Sequence, residues 1–534
     1  MKKLFMMAAL IVGTMPIAAQ ETYENVKIAQ EDLNGTARYV GMGGAMEALG
    51  ADISTISTNP AGIGLFRKSN INVSFGLVSQ ANVSNAVGGN KTNASFDQVG
   101  FVYACRTNKT SYLNFAFNFH KSRNFDMILS AAAPLDRASQ SKLTYAKDRN
   151  GLCYPMKTVT QEGVTVEVPD YTRPYASCNQ LDDIYSQELN FFQNAYFNSS
   201  DYKFDRAHKG YIGEYDLNIS GNINNRVYLG MTVGIHDVHY KGYSEYRETI
   251  TEMVRFGERT SLNEPLVVAD SREITGTGFD IKAGVIFRPV EASPFRIGLS
   301  VATPIFYELR TKNSTTISDT ETTFRTDGSN YKFKLYTPWK FGLSLGHTIG
   351  TQIALGASYE YADYTSMDTR NITGRYYDAW SGTYSDNSSS DTEMNDHTDR
   401  TLKSVHTVKV GAEFKPDKDI ALRIGYNYVS PMFKKDGFKD GTLNSNGSYY
   451  SSATDFTNWE DTHRLTVGGG YTIDHFNISL AYQYSTTKGT FYPFMSYEEN
   501  RNSPDYDPQY NNVVDGVSVK NNRHQVLLTL GYTF

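Results

Sequence analysis

From about residue 69 to its last residue, the chain keeps returning to one pattern: short stretches in which apolar and polar side chains alternate with period two. Residues 476–485 show it plainly. Phe476, Ile478, Leu480, Tyr482 and Tyr484 alternate with Asn477, Ser479, Ala481, Gln483 and Ser485. In residues 420–428, Ile420, Leu422, Ile424, Tyr426 and Tyr428 oppose Arg423, Gly425 and Asn427. In 353–361 the apolar set is Ile353, Leu355, Ala357, Tyr359 and Tyr361. The chain closes on Val526, Leu528, Leu530, Tyr532 and Phe534. Successive residues of a strand point to opposite faces. Each stretch is therefore a strand of about ten residues with one apolar face and aromatics near its ends, the signature of a transmembrane β-barrel.

Such segments centre near 69–79, 96–105, 110–120, 212–222, 226–240, 273–288, 295–309, 333–347, 352–362, 403–415, 420–430, 461–473, 475–486 and 523–534. The count is about fourteen, and an even number suits a bacterial single-chain barrel. The connections alternate in length. Residues 106–109, 223–225, 289–294, 348–351, 416–419 and the turn at Asp474 are short. Residues 81–95, 121–211, 241–272, 310–332, 363–402, 431–460 and 487–522 are long. Short periplasmic turns and long outer loops are the asymmetry of such barrels. A soluble sandwich or propeller would hide its apolar faces and has no reason to alternate its loops. The expected fold is all-β: a transmembrane antiparallel β-barrel of about 14 strands, with both termini on the periplasmic side.

Composition agrees by exclusion. No run after the N-terminus approaches the ~18 apolar residues of a membrane helix. The net charge of −6 gives no general basic face for nucleic acid. Aromatics at 13%, with 38 Tyr and 29 Phe, argue against global disorder. The polar face of the strands, with Asp216, Asn218 and Ser220, Lys409 and Glu413, and Arg423 and Asn427, excludes a fully apolar lumen.

The first twenty residues read as a signal peptide: Lys2 and Lys3, an apolar run from Leu4 to Met15, then Pro16-Ile17-Ala18-Ala19-Gln20 with small residues for cleavage. The expected organisation is a signal peptide (1–20), an N-terminal hatch or plug (21–67) and a barrel (68–534) whose largest outer loop is 121–211. The expected location is the outer membrane of a Gram-negative bacterium. Three cysteines make no disulfide framework. Cys153 and Cys178 share one long loop and either pair or remain two thiols; Cys105 ends a strand-like run as a packed thiol.

Residues 21–67 do not alternate. They hold a Gly-rich run, Gly41-Met42-Gly43-Gly44-Ala45-Met46-Glu47-Ala48-Leu49-Gly50, and then Asn59-Pro60-Ala61-Gly62-Ile63-Gly64. Asn59 can cap a short helical turn with Pro60 at its first position. A compact segment of this size before a barrel reads as a plug entering the lumen from the periplasmic side. The run lacks the strand and the GxGxxG spacing of a dinucleotide site. The stretch Ala37-Arg38-Tyr39-Val40-Gly41-Met42-Gly43-Gly44-Ala45, followed by Asn59-Pro60-Ala61-Gly62, resembles the plug of the FadL/TodX family of outer-membrane channels for long-chain fatty acids and other hydrophobic compounds. The resemblance covers about residues 36–66. It implies a fourteen-stranded barrel with a hatch and passive transport: capture by outer loops, binding in the lumen, and release when the hatch shifts, sideways through a strand kink. Partners would be a hydrophobic small molecule and outer-membrane lipid with lipopolysaccharide. Terminal Phe534, with Tyr532, resembles the signal read by the barrel assembly machinery.

The hatch and gating residues are then Asn59, Pro60, Ala61 and Gly62. Met42, Met46, Leu49 and Phe66 are candidates to touch a ligand in the lumen. In the long loop, Leu181, Tyr185, Leu189, Phe192 and Tyr196 fall on one helical face; they form a lipid-binding groove or pack on the barrel rim. His236 and His239 lie three apart in a strand, so they face opposite ways and no shared metal is expected. No cofactor, metal or nucleic acid is implied. No GxSxG elbow marks an enzyme. The competing reading is a surface-binding or adhesive barrel acting through its long loops, and a more remote one is an outer-membrane lipid enzyme.

Overall fold

The computed structural model describes residues 21–534 apart from 162–163, 171–173, 176, 189–194, 327, 379–381, 451 and 503–505. Fourteen antiparallel strands close on themselves. They are β1 (Asn70–Gln80), β2 (Thr92–Arg106), β3 (Tyr112–Asn124, resuming as Met127–Ala138), β4 (Ala195–Ile223), β5 (Val227–Arg255), β6 (Glu258–Phe287) and β7 (Arg296–Ala302 with Phe306–Ser318). Then come β8 (Ser329–Tyr336 with Lys340–Ile349), β9 (Ile353–Asp363 with Asp368–Asp378), β10 (Ser404–Phe414), β11 (Ile420–Val429), β12 (Phe456–Ile473), β13 (Phe476–Tyr492) and β14 (Val517–Thr533). The seam closes between β14 and β1, in register from Asn70↔Thr533 to Gln80↔Arg523.

The wall is inside-out relative to a soluble protein. Leu465 and Val467 on β12 are 57% and 50% exposed, while Arg464 and Thr466, which alternate with them, are buried. Ile424, Leu480, Leu343 and Leu217 likewise point outward, and Asn427, Ser479, Ser344 and Asp216 inward. An exterior band of exposed aliphatic side chains is stable only against lipid. The short turns all lie at one end. The β4–β5 turn places Asn224 and Asn225 at φ 52° and 55°, the two successive positive values of a tight hairpin, and Asp474 serves the β12–β13 turn at φ 51°.

The long connections depart from the sequence expectation. Residues 195–211 and 241–272 are strand rather than loop. β4 and β5 run 29 residues each and β6 runs 30, about three times what a bilayer requires. Beyond the lipid, their outward residues include Lys203, Lys241, Arg247 and Glu273. The period of two persists there, but the apolar face that marks it in sequence is gone. The largest loop is therefore 139–194. It carries α3 (Gln140–Arg149), a hairpin (Met156–Gln161 and Val164–Pro169) and a short helix (Gln180–Asp183) that continues as a π-turn to Glu188. Residues 363–402 hold the upper half of β9, its return strand Thr383–Ser390 and a helix at Thr392–Thr401.

Residues 21–66 fold as α1 (Thr22–Ala29), α2 (Ala37–Gly41) and 3₁₀ turns at Ile53–Ser57 and Pro60–Leu65, and are almost wholly buried. They run the height of the lumen. At the outer end the Thr22 hydroxyl meets His397 Nδ1 at 2.8 Å, Tyr23 stacks on Phe433 at 5.0 Å, and Glu21 pairs with Lys439 at 3.2 Å. At the other end Arg67 donates to Asn225 in a short turn at 2.7 Å. The segment thus reaches the outer loops and is not confined to the periplasmic mouth. Bare wall positions admit it. A Cβ at Gly230 would overlap the Pro60 backbone, and one at Gly425 would overlap Met42 and Gly43.

Candidate functional site: a lumen cavity beside a broken strand

Pairing between β2 and β3 runs from Arg106↔Tyr112 to Gln98↔His120 and stops, whereas β1 follows β2 to Ser79↔Thr92. Above His120, β3 pairs only with β4, carries an irregularity between Lys121 and Arg123, and breaks at Phe125–Asp126. A break in a closed barrel leaves backbone donors and acceptors that must find partners. The N-terminal segment supplies them. The Asp32 N–H donates to the Ser122 carbonyl at 2.8 Å. Asp32 Oδ2 accepts from the Asn124 N–H at 2.9 Å. Asn34 Nδ2 donates to the Lys121 carbonyl at 3.1 Å and to Asp97 Oδ1 at 3.0 Å. Higher up, the Gln80 amide bonds both backbone groups of Ile128, each at 2.8 Å.

Against this patch lies a cavity of about 240 Å³. Its apolar lining comes from the plug (Tyr23, Val26, Leu33), the broken strand (Phe125, Met127, Leu129), an outer loop (Met432, Phe433) and the upper end of β12 (Trp459). Its polar side mixes cations with carboxylates, and one of these carboxylates, Asp32, gathers three guanidiniums. Arg123 Nη1 lies 3.0 Å, Arg464 Nη2 3.9 Å and Arg523 Nη1 4.0 Å from Asp32. These guanidiniums come from β3, β12 and β14, so the seam brings together residues from both ends of the barrel sequence. The outer side is roofed by one apolar cluster in which Tyr23, Val26 and Ala29 pack with Leu181, Ile184, Tyr185, Phe433 and Phe494.

The residues singled out in sequence fall elsewhere. Asn59 is fully buried and caps the Pro60–Leu65 turn, accepting from the Ala61 N–H at 3.2 Å. The Pro60 carbonyl accepts from Ser220 Oγ at 2.8 Å, and Gly62 packs on Thr55. These residues dock the plug on the wall near the short-turn end. Met42, Met46, Leu49 and Phe66 do not line the cavity: Met42 and Leu49 pack on bare wall of β8–β11, Met46 belongs to the same apolar cluster with Ala481 and Leu527, and Phe66 sits with Ile53, Ile56 and Ile63. Leu181 and Tyr185 belong to the roof, on helical turns described as far as Glu188, whereas Tyr196 lies in β4 against Tyr145 and Tyr510. The stripe is not one helical face, and Leu189 and Phe192 lie outside the described residues. His236 is buried inward and His239 exposed outward, as their spacing requires. The cavity residues Tyr23, Val26, Leu33 and Asp32 were passed over. Only their non-alternating, apolar-with-acid pattern could have marked them.

No family model and no curated protein matches the sequence. Solved structures do match. A FadL homologue of Pseudomonas aeruginosa is 12% identical, with 95% of this chain and 100% of that chain covered and a TM-score of 0.47. The Ralstonia pickettii toluene transporter TbuX is 10% identical, with 94% and 99% covered and a TM-score of 0.44. The Pseudomonas putida toluene transporter TodX is 10% identical, with 95% and 99% covered and a TM-score of 0.43. The chain is similar to these proteins along nearly its whole length.

Proposed function

We propose that this barrel carries hydrophobic molecules across the outer membrane without energy coupling, and that residues 21–67 are its hatch. The observation that supports this best is the pairing of a cavity that is apolar on one side and polar on the other with an interrupted wall strand whose loose backbone is held by the plug itself. A molecule buried in the cavity gains about 25 cal/mol per Å² of apolar surface removed from water. Displacing Asp32 and Asn34 from β3 would open a sideways route from that cavity into the lipid, and downhill partition needs no further driving force. The guanidiniums of Arg123, Arg464 and Arg523, gathered at Asp32, could receive an acidic end in its place, which makes a long-chain fatty acid the first substrate to try. Asn59, Pro60, Ala61 and Gly62 fix the lower end of the hatch and set how far it can move. The export signal at 1–20, the outer-membrane location and reading of Phe534 by the assembly machinery belong to the same proposal.

The test is uptake of a labelled long-chain fatty acid, and of toluene in parallel, by a Gram-negative host lacking its own channel. Restored uptake that is lost when Asp32 and Asn34 are cross-linked to β3 through introduced cysteines supports the reading. Absence of uptake of both classes by a folded, surface-exposed barrel refutes it.

A further inference from the structure

Where β2 and β3 stop pairing, register lines up three inward side chains across the wall. His120 of β3 stands opposite Glu214 of β4, and Glu214 opposite His236 of β5. Asp216 is the next inward residue of β4, and Asp280 and Lys282 approach from β6. All six are between 0% and 7% exposed. Lys282 pairs with Glu214 and lies 3.4 Å from Asp216 Oδ1 and 3.2 Å from Asp280 Oδ2. One ammonium therefore faces three carboxylates. With neutral imidazoles the cluster is two positive charges short, in a place where an unbalanced charge is costly.

The geometry indicates where the missing charge sits. Lys282 takes Oε1 of Glu214 and Oδ1 of Asp216, and the other oxygens turn toward the imidazoles. Glu214 Oε2 is 3.5 Å from His120 Nε2 and 3.9 Å from His236 Nδ1; Asp216 Oδ2 is 3.6 Å from His120 Nδ1. Two of these atoms, Asp216 Oδ2 and His236 Nδ1, are buried with no hydrogen-bond partner. One donor atom each from His120, Glu214 and Asp216 lies within 4.8 Å of the others. Ligands held about 2.0–2.2 Å from a tetrahedral zinc ion are separated by about 3.3–3.6 Å. Glu214 and Asp216 approach different nitrogens of His120, and only one of these can ligate, so the site must tighten from its 4.8 Å span when filled.

We propose that His120, Glu214 and Asp216 bind a divalent transition-metal cation of the zinc class, with His236, whose Nδ1 stands 3.9 Å from Glu214 Oε2, drawn in as fourth ligand. Such a cation brings the cluster to neutrality and gives the two unpartnered atoms their partner. His236 Nε2 meets Asp280 Oδ1 at 3.2 Å, the second carboxylate that commonly orients a ligating imidazole. The ion would tie β3 to β4 and β5 at the last paired residue below the break and so fix the point about which the upper half of β3 moves. The site does not depend on the transport reading.

The test uses the folded barrel in detergent, washed with chelator and titrated with Zn²⁺ by calorimetry and with Co²⁺ by visible absorption. One equivalent per chain is expected, with the Co²⁺ absorption of a four-coordinate nitrogen and oxygen site. Glu214→Gln and Asp216→Asn should each weaken binding at least about tenfold. A Cys153→Ser, Cys178→Ser double variant should bind as wild type, which separates the site from the buried thiols. Heat-modifiable gel mobility reports folding, and His236→Asn provides a milder variant if a carboxylate change prevents assembly. Absence of binding by the folded wild type overturns the proposal and assigns the missing charge to protons on the imidazoles. Undiminished binding in the folded Glu214, Asp216 and His236 variants overturns it equally.

Discussion

Replacing Asp32 by Asn tests the link between plug and wall most directly. The change keeps the size of the side chain and an acceptor for the Asn124 N–H, but it removes the charge that Arg123, Arg464 and Arg523 share. Breaking one side of a buried ion pair costs about 3–5 kcal/mol. Asp32 and Arg123 are 19% and 20% exposed, and solvent screening reduces the figure to about 2–3 kcal/mol. That cost falls on the closed arrangement, in which the plug residue sits on β3. The balance between closed and open plug should shift by roughly 30- to 150-fold. In planar bilayers Asp32→Asn should show frequent brief openings where the wild type is nearly silent, and in cells it should take up a hydrophobic dye faster. Asp32→Glu, which keeps the charge, should lie much nearer wild type. A folded Asp32→Asn barrel with wild-type conductance and uptake would refute the reasoning and reduce the Asp32–β3 contact to a structural detail.

Two further changes probe the same architecture from other sides. Gly230→Val places a side chain where the Pro60 backbone lies; it should dislodge the lower plug, lower the unfolding temperature and raise trypsin cleavage at Arg67, while Gly374→Val, on the exposed outer half of β9 with open space around it, serves as a surface control. In the outer loop, burial of Asp148, reinforced by nearby Asp182, pushes its carboxyl up to about 7. The folded loop then holds a proton that the unfolded loop releases, so its stability should fall as pH rises from the ordinary 3.8 toward about 7, by up to about 1.4 kcal/mol per pH unit, and level off above. Hydrogen exchange of residues 140–149 measures this, and Asp148→Asn should remove the slope.

The barrel was legible because lipid imposes a rule that acts residue by residue. Every outward side chain between the two water interfaces must be apolar, so strands such as 420–428 and 476–485 announce their face and span without reference to any partner. The same rule explains where the reading stopped. Above the membrane the outward residues of β4, β5 and β6 may be polar, the one-sided pattern ends, and the strands at 195–211 and 241–272 looked like loops. The Asn59-Pro60 turn was legible for a similar reason, since a cap and a proline act within four residues.

The sequence by itself determined the membrane-spanning wall, its strand number and the existence of a separate, non-alternating N-terminal segment, because these follow from periodicity and local chain chemistry. Only the tertiary structure decided what the wall encloses. The height of the plug in the lumen, the stop in β2–β3 pairing at His120, the meeting of Asp32 with arginines from β3, β12 and β14, and the row His120–Glu214–His236 all depend on register and closure. Register joins residues far apart in the chain, and an inward polar residue gives no sign in sequence of which other strand it will face.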